Sequence, residues 1–165
     1  MKQLITFAVL FMALTQCICN NDNNNENMDE DIKRIYITER EHGYYNFPTI
    51  LIRSQDSLDS FINDLLPQSS WNEKQPFLDS LYQANIDFDK ELLLLLRHTE
   101  TSGSNTVIVK DPNIEDNMAI IEIDRIVPDV GTDDMAYYCF AYIVSKEIRK
   151  ITFQIEKMDD IVIEL

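Results

Sequence analysis

The chain has little glycine and histidine, and this scarcity excludes several kinds of catalytic site. Its three glycines are too few and too scattered for a loop that cradles phosphate. The two histidines, His42 and His98, are far apart and show neither HExxH nor a comparable metal-binding spacing. No GxSxG nucleophile elbow occurs. The familiar sequence signatures of phosphate binding, zinc hydrolysis and serine hydrolysis are therefore all missing.

Cysteine is equally scarce. The chain has three cysteines, Cys17, Cys19 and Cys139, without a CxxC redox motif or zinc-type spacing. Cys139 lies in an apolar run, which predicts a buried thiol that behaves as a small hydrophobic side chain. A disulfide between Cys19 and Cys139 is the alternative, because exported proteins oxidise available pairs.

Positive charge is also lacking. Lysine and arginine number 14 against 29 aspartates and glutamates, which gives a formal charge of −15. Loss of Lys2 with an N-terminal leader would bring the charge to −16. A body this acidic repels nucleic-acid phosphates and anionic membrane surfaces. We therefore expect no nucleic-acid partner, and any membrane attachment must come from a lipid.

The first residues resemble an export signal. Lys2 is followed by an apolar run from Leu4 to Leu14 in which Thr6 is the single polar residue. A short basic start followed by such a run is the layout of a secretory signal peptide. The run is too short to span a bilayer as a helix, which takes about 20 apolar residues. A short permanent N-terminal anchor is the alternative.

The end of this run predicts lipidation. Leu14-Thr15-Gln16-Cys17 resembles the bacterial lipobox, with Gln16 where a small residue is usual, and so identifies Cys17 as the lipidation site within a leader of residues 1–19. Cys17 and Cys19 also suit an ordinary cut before Asn20, which would release a soluble secreted or periplasmic protein. Lipidation would place the protein in the cell envelope, at the outer membrane or cell surface.

The composition of residues 20–31 predicts a tether. They consist almost wholly of asparagine and acidic residues, a composition that cannot form a core and predicts disorder. An acidic, asparagine-rich spacer after a lipidated cysteine resembles the surface lipoproteins of the Bacteroides group. We expect it to act as a tether or export signal, or as a plain solvated linker.

The remaining residues, 32–165, have the length of one domain. Helices are predicted over 55–66, with Ser54 as N-cap and Pro67 as stop, and over 76–84, with Pro76 in the first turn. Strand patterns dominate elsewhere, at 35–37, 49–53, 92–96, 106–110, 118–127, 136–144, 151–156 and 161–165. These patterns predict an α+β, mainly β domain. Its form would be an antiparallel β-sandwich or partly open barrel of about seven or eight short strands, covered by two helices.

Two strand predictions are more specific. The five-leucine run Leu92–Leu96 predicts a central strand that is buried on both faces. The turn Thr101–Asn105 predicts a hairpin between that strand and Thr106–Lys110.

Residues 86–146 resemble the C-terminal domain family of PrcB, a lipoprotein subunit of a protease complex. The resemblance rests on the entry Ile86–Glu91 into an apolar strand, on the turn Thr101-Ser102-Gly103, and on Val127-Pro128 followed by the tyrosine-rich Tyr137–Phe140. Ser104 and Asn105 replace the Gly-Tyr that is usual in the family after the turn. The resemblance implies an accessory, protein-binding role in the envelope and no catalysis.

Three groups of residues are candidate sites. His98, Glu100 and Ser102 alternate along a strand and can share a face as a catalytic group, but a polar strand end near a hairpin is the favoured interpretation, so no catalytic residue is predicted. Clustered oxygens around Gly131, from Asp129, Asp133 and Asp134, are weak candidates for a calcium site, although such a charge cluster is usually a solvated loop. Aromatic side chains that could contact a partner are Tyr138, Tyr142 and Trp71.

Together these features predict a non-enzymatic envelope lipoprotein that acts as a protein-interaction or accessory module for other envelope proteins, including a protease complex. The alternatives are a secreted lipoprotein that binds calcium or a small ligand, and a hydrolase without a recognisable motif. No cofactor is predicted.

The leader can be tested by the intact mass of the exported protein. We expect a diacyl or triacyl mass on Cys17, because the lipobox directs lipidation before cleavage. A free amine on Asn20 would instead make the protein soluble and secreted, and unmodified full-length chain in the cytosol would contradict export.

Overall fold

The computed structural model describes residues 31–37, 49–65 and 74–165. Cys17, Cys19 and His42, with residues 20–30 of the tether, lie outside this part of the chain, as do Pro67 and Trp71. In chain order the elements are β1 (Ile32–Ile37), β2 (Ile50–Ile52), α1 (Gln55–Ser60), a π-helical segment (Phe61–Leu65), α2 (Lys74–Ala84), β3 (Glu91–Glu100), β4 (Thr106–Val109), β5 (Asn113–Glu115), β6 (Met118–Ile126), β7 (Ala136–Ser145), β8 (Lys150–Ile155) and β9 (Ile161–Glu164). The fold is α+β and mainly β, as predicted.

The strands form two sheets that face each other. Sheet A has the order β1-β7-β3-β2, and sheet B has the order β4-β6-β8-β9, with β5 also paired to β6. One cluster of buried side chains fills the space between the sheets, and a second fills the space between sheet A and the helices. The domain therefore has three layers, in which sheet A is the middle one.

The leucine run forms the centre of sheet A. Leu92, Leu94 and Leu96 pack towards sheet B, whereas Leu93 and Leu95 pack towards the helices. Successive side chains on a strand point to opposite faces, so a strand between two layers must be apolar at every position. The prediction of a strand buried on both faces is confirmed.

The first helix begins as expected. Ser54 has an extended backbone, and its Oγ accepts a hydrogen bond from the backbone N–H of Ser57 at 3.2 Å. Leu58 and Phe61 from this helix pack with Phe77 and Leu81 of α2 on the outer face of sheet A. The second helix starts at Lys74, two residues earlier than the pattern predicted. No helix in the described ranges is long and apolar enough to cross a membrane.

The predicted hairpin is wrong. β3 belongs to sheet A, whereas β4 belongs to sheet B and pairs with β6, Thr106 opposite Ile126. The turn Thr101–Asn105 thus carries the chain from one sheet to the other. A turn signal between two strands does not identify their partners: β3 pairs with β2 and β7, and β4 pairs with β6.

One strand pair departs from the expected antiparallel arrangement. β6 and β8 are parallel, with Met118 opposite Lys150. The strand between them in sequence, β7, lies in sheet A, so the chain crosses to the other sheet and returns to sheet B in its original direction. Ile151, Phe153 and Ile155 of β8 point into the core, as their alternation predicted.

Candidate functional site

Two loops and the strand ends that support them form the candidate site at one end of the sandwich. Glu100 at the end of β3 lies opposite Ala136 at the start of β7. In sheet B, the start of β4 lies opposite the end of β6. The loops Thr101–Asn105 and Val127–Met135 therefore emerge side by side, and most of the sequence candidates lie in or below them.

The carboxylate of Glu100 is the centre of a buried polar network. Its side chain is 0% exposed, and its two oxygens receive four donors, each at 2.7 Å. Oε1 accepts from Nε of Arg125 and Nε2 of His98, and Oε2 accepts from Nη2 of Arg125 and Nδ2 of Asn105. A carboxylate has about four lone-pair sites, so this one is saturated.

The network keeps Glu100 ionised, and burial keeps His98 neutral. Burial alone would raise the pKa of Glu100, but the hydrogen bonds from Arg125, Asn105 and His98 outweigh it and lower the pKa to about 2. Burial lowers the pKa of His98 from 6.5 and outweighs the opposing effect of its bond to Glu100. Because His98 is 2% exposed and donates its Nε2 proton to Glu100, it is not presented to solvent as a base.

Arg125 and Asn105 extend the network to other strands. Nη1 of Arg125 donates to the backbone carbonyl of Glu156 at 3.2 Å, and the backbone N–H of Arg125 donates to a Glu156 carboxylate oxygen at 3.1 Å. The hydroxyl of Tyr138 donates to the backbone carbonyl of Asn105 at 3.1 Å. One carboxylate thus connects β3 and β7 of sheet A with β6 and the end of β8 in sheet B.

Above this network the two loops interlock. Oγ of Ser102 accepts from the backbone N–H of Thr132 and donates to its carbonyl, both at 3.0 Å. The backbone N–H of Gly103 donates to the carbonyl of Asp134 at 2.8 Å. A Cβ at Gly103 would lie 2.6 Å from the carboxylate oxygens of Asp134, so a larger residue there would require this exposed side chain to move.

The catalytic group considered from the sequence is only partly assembled. His98 and Glu100 do meet, as their alternate spacing predicted. Ser102 instead uses its hydroxyl to hold Thr132. The His98–Glu100 pair is therefore a buried structural contact, and Ser102 holds the two loops together.

The loop Val127–Met135 has apolar side chains that are exposed to solvent. Val130 at its tip is 85% exposed, and Val127 and Met135 at its two ends are 54% and 45% exposed. These three residues are called the loop rim below. Apolar side chains on a backbone held by several hydrogen bonds lose little conformational entropy when a partner covers them.

The aspartates of this loop do not form a metal cluster. Asp129, Asp133 and Asp134 are all exposed. Within residues 31–37, 49–65 and 74–165, no three His, Cys, Asp or Glu side chains are grouped to hold a metal ion. The calcium site remains a prediction of the sequence that gains no geometric support.

The predicted aromatic contact surface needs correction. Tyr138 is 4% exposed and Tyr142 is 0% exposed, so neither can contact a partner. The prediction assumed that one face of this strand meets solvent, but β7 is a middle strand of the middle layer. The hydroxyl of Tyr142 has no hydrogen-bond partner among the described residues, and its burial raises the pKa. Cys139, on the opposite face of β7, is fully buried as predicted.

Sequence reasoning missed Arg125 and Asn105, although a signal for Arg125 was present. Along β6 the inward positions are Ala119, Ile121 and Ile123, and Arg125 is the next in that alternation. A charged residue at a core position requires a buried partner of opposite charge. His98 and Glu100 continue the inward alternation of β3 in the same way. No comparable signal identifies Asn105.

Comparisons with known proteins give no relatives: no protein-family model, no curated protein and no solved structure matches this chain. The resemblance to the PrcB-type domain remains a prediction of the sequence. The function must therefore be argued from the site itself.

Replacement of Glu100 by glutamine tests the network. The change removes the main counter-charge of Arg125, whose side chain is 10% exposed and also contacts Glu156, so we expect the free energy of unfolding to fall by about 2 to 3 kcal/mol. Urea denaturation would measure it. Asp124→Asn is the control, because it breaks the exposed pair of Asp124 with Lys110. Losses of equal size in the two variants would contradict a central role for Glu100.

The network also predicts loss of stability in acid. Unfolded His98 takes up a proton near pH 6.5, whereas the folded residue, with its lowered pKa, resists it. Stability should therefore fall as the pH drops through 6.5, and Glu100 should deepen the loss between pH 4.5 and about 2. Denaturation of the wild type and of His98→Gln between about pH 7.5 and about pH 5.5 checks the first phase. Parallel curves would contradict it.

Proposed function

We propose that this chain is a non-enzymatic envelope lipoprotein, anchored through Cys17, that binds another protein through the loop rim. Its role would be accessory to an envelope assembly, of which a protease complex is one example. The leader and tether support the location, and the acidic body leaves the lipid as the means of attachment. The PrcB-type resemblance supports the accessory role.

The proposal rests on one observation: the loop rim is exposed, and hydrogen bonds to the neighbouring loop hold its backbone in place. Val130 is 85% exposed at the tip of a loop that Ser102 and Gly103 hold in place. Solvent-exposed apolar side chains on an ordered loop are what a partner protein can bury. The Glu100 network below it consists of groups that already satisfy one another, and this suits a support better than a reaction centre.

The buried environment of His98 favours binding over catalysis. A hydrolase built around this residue would need its imidazole in a solvent-accessible pocket. His98 is instead 2% exposed and hydrogen-bonded to Glu100. The described residues therefore give no support to the alternative of a hydrolase without a known motif.

The test is in-cell crosslinking of the full chain and its Val130→Asp variant. A charge at the loop tip should reduce the yield of crosslinked partner by about tenfold, the effect of losing one well-buried contact residue. The matched control is Tyr82→Asp, because Tyr82 is 65% exposed on α2 in the helical layer. The proposal fails if no partner is reproducibly captured, or if Val130→Asp captures it as well as the control does.

A further inference from the structure

The outer face of sheet B carries an exposed apolar surface. Side chains that point away from sheet A on β4, β6 and β9 are between 38% and 55% exposed: Ile108, Met118, Ile120, Ile126 and Val162. Polar side chains lie between them, since Thr152 separates Ile120 from Val162 and Ile108 lies opposite Asp124. These five residues are called the outer face below.

Sheet A provides the contrast. Its own outer side is covered by α1 and α2, and the side chains there are buried, as Leu93 and Leu95 show. An apolar sheet face normally packs against a second layer. The outer face of sheet B is also continuous with the loop rim, because Ile126 ends β6 and Val127 begins the loop.

Negative charge borders this apolar surface. A shallow cleft of about 210 Å³ runs along β6 and β8 towards the loop end, and four carboxylates line it: Glu122, Asp124, Glu156 and Asp160. Two lysines contact this group, Lys110 with Asp124 at 2.6 Å and Lys157 with Glu156 at 3.2 Å. Carboxylates therefore remain in excess beside the apolar residues.

We infer that the outer face docks a cationic, amphipathic segment of a partner protein, in which lysine or arginine alternates with apolar residues. This inference rests on the proposed accessory role and names the chemistry of the partner. The apolar side chains of the segment cover Ile120 and its neighbours, and its cations enter the cleft beside Glu122 and Asp160. Complementary charge of this kind selects the partner and speeds its association.

The charge of the chain argues against the other occupants of such a face. At a formal charge of −15, two copies repel each other, and so do the protein and an anionic membrane. A basic protein segment is attracted by the same field. Self-association and vesicle binding are therefore outcomes that the experiment must distinguish.

The probe is a short fluorescein-labelled peptide of lysine and leucine, with two controls of the same length. One control replaces leucine by serine and the other replaces lysine by glutamate. Binding to the full chain in non-ionic detergent is followed by fluorescence anisotropy, and amide chemical shifts map the contact. We expect the lysine-leucine peptide to bind at least about tenfold more tightly than either control. Its affinity should fall as the salt rises from about 50 to about 500 mM.

Variants locate the surface. Met118→Ser with Ile120→Ser should weaken binding about tenfold by removing apolar contact. Glu122→Gln with Asp160→Asn should weaken it about fivefold. The charge-matched control is Asp56→Asn with Asp59→Asn, both exposed on α1 on the far side of sheet A, and it should change the affinity less than twofold. An equal effect of the control, or shifts that map elsewhere, overturns the inference.

Two further outcomes bear on the inference. Sedimentation that shows dimers abolished by the Met118 and Ile120 changes would assign the face to a second copy and overturn it. Binding to anionic vesicles that the same changes abolish would also overturn it. If Val130→Asp abolishes partner crosslinking while the peptide fails to bind, the inference falls and the proposed function stands. If the peptide binds this face but no partner is captured, the proposed function falls alone.

Discussion

The ion pair between Glu100 and Arg125 is the interaction on which the site depends. It joins the end of β3 to the end of β6, one strand from each sheet, and brings two buried charges into contact at 2.7 Å. Such a pair is tolerated in a core only when its remaining hydrogen-bonding groups are satisfied, and Asn105 and His98 complete that requirement. Polar contacts therefore set the separation of the two sheets at this end. The same contacts support the two loops above them.

Exposure to solvent increases from the buried Glu100 network towards the tip of the loop Val127–Met135. The buried network lies under the hydrogen bonds between Ser102 and Thr132, and these lie under a loop tip whose valine is almost fully in solvent. Sheet B adds a second exposed apolar region beside a group of carboxylates. Both surfaces belong to the side of the domain that lacks helical cover in the described residues. This asymmetry between a covered and an uncovered sheet is the structural basis of the two binding proposals.

Local patterns predicted the elements of the fold well, because they arise from interactions between near neighbours. The leucine run gave β3, the alternation of Ile151, Phe153 and Ile155 gave β8, and the polar residue Ser54 gave the start of α1. Pairing was predicted poorly. The hairpin that the turn Thr101–Asn105 suggested does not form, and the β6–β8 pair is parallel. The choice of partner strand depends on contacts across the whole domain, which no short window of sequence contains.

What the amino-acid sequence determined by itself is the acidic charge, the mainly β class and the alternation of inward and outward positions. Only the tertiary structure decided what those positions meet. It buried Tyr138 and Tyr142, turned Ser102 away from His98 and brought Arg125 to Glu100 across the sandwich. The reason is geometric: an alternating strand specifies two faces, but whether a face meets water, a helix or a second sheet depends on how the layers stack.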